Sequence, residues 1–84
     1  MLKIVQTTDK KAYYIMIVGD FMTTLDKIVA DYLHLSFQQY ISILQNHHAE
    51  KISNNEYYFH DKQNAQNCLN QLQKIELLKM IKNA

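Results

Sequence analysis

Four histidines, one cysteine and eight carboxylates are the side chains of this 84-residue chain best suited to metal binding or acid–base work. His47, His48, His60 and Cys68 carry donors that suit zinc, yet their spacing fits no compact site. On a helix His47 and His48 diverge by about 100°, and there is no Cys-x-x-Cys or His-x-x-x-His pair. The two histidines read instead as the polar end of a helix, where imidazolium suits the dipole. Cys68 stands beside Leu69 on an apolar helical stripe and reads as a small buried hydrophobe, not as a nucleophile. Asp26 with Asp31, and Glu50 with Glu56, lack the spacing and apolar setting of a general acid and base. A single glycine leaves no loop to cradle phosphate. No catalytic residue, cofactor or metal site is expected, and the chain is not expected to be an enzyme.

Composition narrows the class further. Nine cations, all lysine, face eight anions for a formal charge of +1. Proteins that live on phosphate backbones carry a basic excess and use the arginine fork, so this balance argues against tight, non-specific nucleic-acid binding. Asn and Gln together supply fifteen residues, a bias typical of AT-rich coding, which also depletes arginine. One domain over residues 1–84 is expected, because a chain this short buries only about 60 to 65% of its unfolded surface. The lone cysteine and the missing leader pattern point to a reducing cytoplasm. The longest apolar run, residues 12–19, is far short of the roughly 20 needed to cross a bilayer.

The elements follow from periodicity and caps. Leu2 and Ile4 alternate, then residues 13–18 read YYIMIV, and Thr8 to Lys11 supply a polar turn, so the chain opens on a hairpin. Because residues 13–18 are apolar on both faces, the second strand should be covered on both sides. Thr23 or Thr24, Ser36 with Gln39 in capping-box spacing, and Asp61 mark three helix starts. Helices are predicted over 25–34, 37–48 and 62–83. Between the last two, the aromatic residues 56–60 after the Asn54-Asn55 turn read as a third strand that pairs with the hairpin. The expected fold is α+β: a three-stranded antiparallel sheet with a pair of short helices and a long C-terminal helix, in the order β-β-α-α-β-α. One of each tyrosine pair, Tyr13-Tyr14 and Tyr57-Tyr58, should face outward.

Residues 28–44, IVADYLHLSFQQYISIL, bury Val29, Ala30, Leu33, Leu35, Tyr40 and Ile43 at the spacing of two short helices joined by a tight turn. Ala30 falls where the helices must approach closely. This segment resembles a helix-turn-helix, the family whose second helix enters the DNA major groove. The resemblance implies that Gln38, Gln39 and Ser42 meet base edges, Gln pairing bidentately with adenine, with Gln45 and Asn46 extending the polar face. It also implies that Lys27, Lys51 and the helix start at Ser36 hold phosphates. Two positions depart from the pattern. His34 stands where the family usually has glycine at positive φ, a conformation His tolerates better than most residues. Phe37 is large where DNA readers favour a small polar residue. The same spacing also fits a plain αα-hairpin whose Ala30 and Leu35 only pack the core.

In size, composition and its strand-then-helix end, YYFHDKQNAQNCLNQL, the chain resembles small accessory proteins of phages and mobile elements, without a diagnostic signature. A DNA-binding accessory or regulatory protein is expected. The alternative is a phage-type module that inhibits a host defence or transcription protein, which suits near-neutral charge and exposed aromatics. The last helix carries Leu77, Met80 and Ile81 beyond its apolar stripe, so a homodimer through Ile75 to Ile81 is expected.

Overall fold

The computed structural model describes residues 1–19, 23–53 and 56–82. Two strands, β1 (Leu2–Gln6) and β2 (Tyr13–Ile17), pair antiparallel from Leu2 opposite Ile17 to Gln6 opposite Tyr13. Their turn closes on the Asp9 carboxylate, which accepts from the Thr7 hydroxyl at 2.5 Å and from the Lys11 N–H at 3.0 Å. These two bonds, the hydroxyl first, hold its carboxyl below the usual range.

β2 is the hub. Ile15, Met16 and Ile17 are buried, so both faces of the strand are covered. β1 lines one edge, while on the other Tyr13 exchanges N–H···O bonds with Phe59 at 2.8 and 2.9 Å, and Ile17 with Thr23 at 3.0 and 3.4 Å. The helices are α1 (Asp26–Tyr32), α2 (Phe37–Asn46) and α3 (Lys62–Lys82). Their inward faces build one core around Leu2, Val29, Leu33, Tyr40, Leu44, Phe59, Cys68 and Leu72. Among the described residues, no helix is long and apolar enough to cross a membrane.

The fold is α+β, but the single three-stranded sheet expected from the sequence is wrong. Two separate two-stranded sheets form instead, in the order β-β-α-α-β-β-α. The missed strand is β3 (Glu50–Ser53), which pairs antiparallel with β4 (Glu56–Tyr58), Glu50 opposite Tyr58 and Lys51 opposite Tyr57. Closing this short local hairpin costs less chain entropy than bringing residues 56–60 alongside the distant N-terminus. The partnership expected with β2 shrinks to the one Tyr13–Phe59 bridge, because the chain turns into α3 at Lys62, directly after Asp61 caps it. The Asp61 carboxylate accepts from the Gln63 N–H at 2.7 Å. The proposed Asn54-Asn55 turn lies outside the described residues. Of the tyrosines, Tyr57 is buried, while Tyr13, Tyr14 and Tyr58 are half-buried.

Helix ends also move. α1 starts at Asp26 and its N-cap Leu25 makes no side-chain cap bond; Thr23 Oγ1 accepts from the Leu25 N–H at 3.1 Å, one step too early to cap the helix. The reason is Asp26 itself, which is turned into the core at 2% exposure, the one buried charged side chain among the described residues. Its Oδ2 accepts the Tyr57 N–H at 2.6 Å, tying α1 to β4. Burial pushes the carboxyl up to about 7, with Glu56 adding in the same direction and the Tyr57 bond opposing.

A carboxyl raised in the folded state stabilises the fold fully below its unfolded value, near 4, and loses that stabilisation as pH climbs through 7. At 1.36 kcal/mol per unit, the loss between pH 4 and pH 8 is about 4 kcal/mol from this group. Asp26→Asn mimics the protonated acid. The variant should therefore melt more than about 10 °C above the parent at pH 8 and match it at pH 4; a pH-independent difference in calorimetry would refute the assignment. The buried Tyr40 hydroxyl has no hydrogen-bond partner among the described residues. Tyr40→Phe should thus be neutral or stabilising by up to ~1 kcal/mol in urea unfolding.

Candidate functional site

α1 and α2 are joined by four residues, Leu33 to Ser36, and the turn is built from backbone bonds. The His34 N–H donates to the Asp31 carbonyl at 3.1 Å and the Leu35 N–H to the Ala30 carbonyl at 2.9 Å. These are the two bonds of a Schellman motif, whose C′ residue must be left-handed. That residue is His34, at φ 58°. α2 ends the same way: His48 at φ 68° donates to the Gln45 carbonyl and Ala49 to that of Leu44. Left-handed His34 was legible from the family pattern; His48 was read as helical, although the same His-then-apolar pair marks both ends. α2 consequently stops at Asn46, two residues before its expected end.

The start of α2 is a complete capping box. Ser36 Oγ accepts the Gln39 N–H at 3.1 Å, and Gln39 Oε1 accepts the Ser36 N–H at 2.9 Å. Phe37, the large residue after the cap, is half-buried and packs against the core, which explains its departure from the family pattern. Tyr40, Ile41 and Leu44 turn inward, leaving Gln38, Gln39, Ser42, Gln45 and Asn46 exposed. The outer face of α2 is thus polar, uncharged and free of carboxylates.

Ser36, Gln38, Gln39 and Ser42 therefore share one helix, but with unequal freedom. The amide oxygen of Gln39 is held in the capping box, so a bidentate pair with adenine would require breaking that box. Gln38 and Ser42 make no side-chain bond among the described residues. Lys27, on α1, and Lys51, on β3 opposite Tyr57, are exposed and likewise unbonded among the described residues, and neither is tied to the α2 face.

What holds the helix pair on the domain was invisible in the sequence. The Tyr32 hydroxyl, at the end of α1, donates to Glu76 of α3, and Lys79 Nζ donates to the Tyr32 carbonyl while lying 3.8 Å above its ring. The Glu76 bond, with burial and the carboxylate charge, pushes the Tyr32 hydroxyl up to about 12. At the far end of α2, His47 Nε2 sits 2.7 Å from Gln71 Oε1 of α3. The other histidine contact is exposed: His60 lies 2.8 Å from Glu50, which also accepts from Tyr58 at 3.2 Å. Among the described residues no three metal-binding side chains converge. Cys68 is fully buried, and burial pushes its thiol up to about 12. An open cleft of about 460 Å³ between β2 and α1 is lined by Met1, Ile17, Val18, Ile28, Asp31 and Tyr32 among others and is mostly apolar.

The chain matches no known protein-family model, no curated protein and no solved structure.

A histidine in the left-handed region carries a penalty of about 1–2 kcal/mol that glycine avoids, against about 0.5–1 kcal/mol of extra chain entropy for glycine. His34→Gly should therefore raise the urea midpoint by the equivalent of roughly 0.5–1 kcal/mol with an unchanged m value, whereas His34→Val should lower it.

Proposed function

We propose that the protein is a small DNA-binding accessory or regulator that lays α2 in the major groove. The observation that supports this reading is the acid-free polar outer face of α2, which follows α1 after a turn of four residues, the length a helix-turn-helix uses. Gln38 and Ser42 are the base-reading residues, with Gln45 beside them. Gln39 and Ser36 set the helix start, and Lys27 and Lys51 steady the phosphates. Specificity rather than charge must supply most of the affinity, since the net charge is +1.

A second reading is a phage-type module that binds a host protein. It draws support from the near-neutral charge and from four large apolar side chains exposed at the end of α3. The two readings differ in how binding depends on sequence.

In fluorescence anisotropy against a selected duplex pool at physiological salt, the protein should prefer one AT-rich site. Gln38→Ala with Ser42→Ala should erase that preference by roughly tenfold or more, since each good base pair contact gives about 1–3 kcal/mol. Its melting temperature should stay within a degree of the parent, because both side chains are exposed. Equal, weak binding to every duplex would reject the DNA reading and favour the protein-partner one.

A further inference from the structure

The two hairpins present a second face, turned away from the helices. Tyr13 and Phe59 exchange backbone bonds and both pack into the helix-side core, so side-chain alternation turns their neighbours Tyr14 and Tyr58 the other way, as a close cross-strand pair. Both rings are half-buried, and neither belongs to the core that the helices close. His60, two residues on, sets its ring nearly perpendicular to that of Tyr58, with centroids 4.7 Å apart. Two carboxylates flank the tyrosines. Glu50 stands opposite Tyr58, and its Oε2 meets both the Tyr58 hydroxyl at 3.2 Å and His60 Nε2 at 2.8 Å, while Oε1 accepts no bond among the described residues. Glu56 lies two positions before Tyr58, on the same side of β4. Burial, and then the charges of Glu56, Asp9 and Asp26, raise the Tyr14 hydroxyl, so the field over this face is negative.

We infer that this face takes an extended segment of another protein that carries arginines at alternate positions. Charge excludes the other common use of paired tyrosines: carboxylates beside the rings repel a phosphate backbone, so the pair is no stacking platform for bases. A guanidinium stacks on a tyrosine ring and forks onto a carboxylate at once, which an ammonium does not. Spacing sets the repeat. Glu50, opposite Tyr58, and Glu56, two residues before it, are diagonal neighbours about 7 Å apart, the distance between alternate side chains of an extended peptide. One arginine then lies over Tyr58 and meets Glu50, and the other lies over Tyr14 and meets Glu56. Tyr58 and His60 hold the Glu50 carboxylate before the segment arrives, which lowers the cost of ordering it. Lys3, the cation that the strands place on this side, stands opposite Met16 on the outer strand β1, away from Glu50. The inference does not rest on the DNA reading, because α2 packs against the opposite face.

Amide NMR of the full chain, titrated at about 100 mM salt with the blocked peptide acetyl-GRTRG-amide, tests the inference. Binding should be millimolar, since exposed ion pairs are individually weak, and the shifts should centre on Tyr14, Tyr58 and His60. The peptides acetyl-GRRTG-amide, with its arginines adjacent, and acetyl-GKTKG-amide should bind at least threefold more weakly, and acetyl-GETEG-amide and a thymidylate octamer should leave this face unshifted. Glu50→Gln with Glu56→Gln should weaken the first peptide about tenfold. Glu50→Gln alone, at a side chain 58% exposed, should weaken it about threefold and keeps the test sharp if the double variant misfolds. No binding, shifts centred elsewhere, indifference to Glu50→Gln, an affinity that ignores arginine spacing or the guanidinium group, or thymidylate shifts at Tyr14 and Tyr58 would overturn the proposal.

Discussion

The Asp26 carboxylate, accepting the Tyr57 N–H inside the core, is the constraint on which the arrangement of the helix pair turns. It joins the first residue of α1 to the strand that leads toward α3, and so fixes the direction in which α1 leaves the sheet. α2 follows from that direction through a four-residue turn that leaves little freedom. The bond is bought with a desolvated carboxyl, so the fold holds a group near its midpoint of ionisation at neutral pH. Buried carboxylates are costly unless fully satisfied, and here one backbone N–H opposes an apolar surround.

How much of this could be read beforehand depended on sequence distance. The capping box at Ser36 and Gln39 and the left-handed His34 involve bonds within a few residues, and local chemistry announces such features. The Asp61 cap and the stripe through Ala65, Leu69 and Leu72 are legible for the same reason. Asp26, paired with Asp31, reads as lacking an apolar setting, because its burial is decided by a strand 31 positions away. β3 was overlooked because Glu50 and Lys51 are poor strand formers by propensity; their pairing with Tyr58 and Tyr57 supplies what the residues themselves do not. The latch of Tyr32, Glu76 and Lys79 carries no pattern at all along the chain.

The candidate site inherits its character from these choices. α2 is presented by two helix ends that use histidine where glycine is usual, and by a capping box that withdraws Gln39 from other work. The remaining face is amide and hydroxyl, a surface that discriminates by hydrogen-bond geometry and gains little from long-range attraction. A DNA contact of the kind proposed would lose less to salt than one made by a basic surface. The α3 end is the opposite of the α2 face in kind, greasy and non-directional.

The single bridge between Tyr13 and Phe59 has a consequence for how the molecule breathes. Among the described residues, the β3–β4 hairpin is joined to the rest by the Tyr13–Phe59 bridge, the Asp26 carboxylate and the buried Tyr57 and Phe59 side chains, whereas β1 and β2 share a five-residue ladder backed by α3. Local opening should therefore part the domain along this seam, freeing the second hairpin while the first stays closed. When Asp26 ionises, its bond to the Tyr57 N–H across this seam tightens, so the cost of burying the charge falls on the fold as a whole and not on the seam.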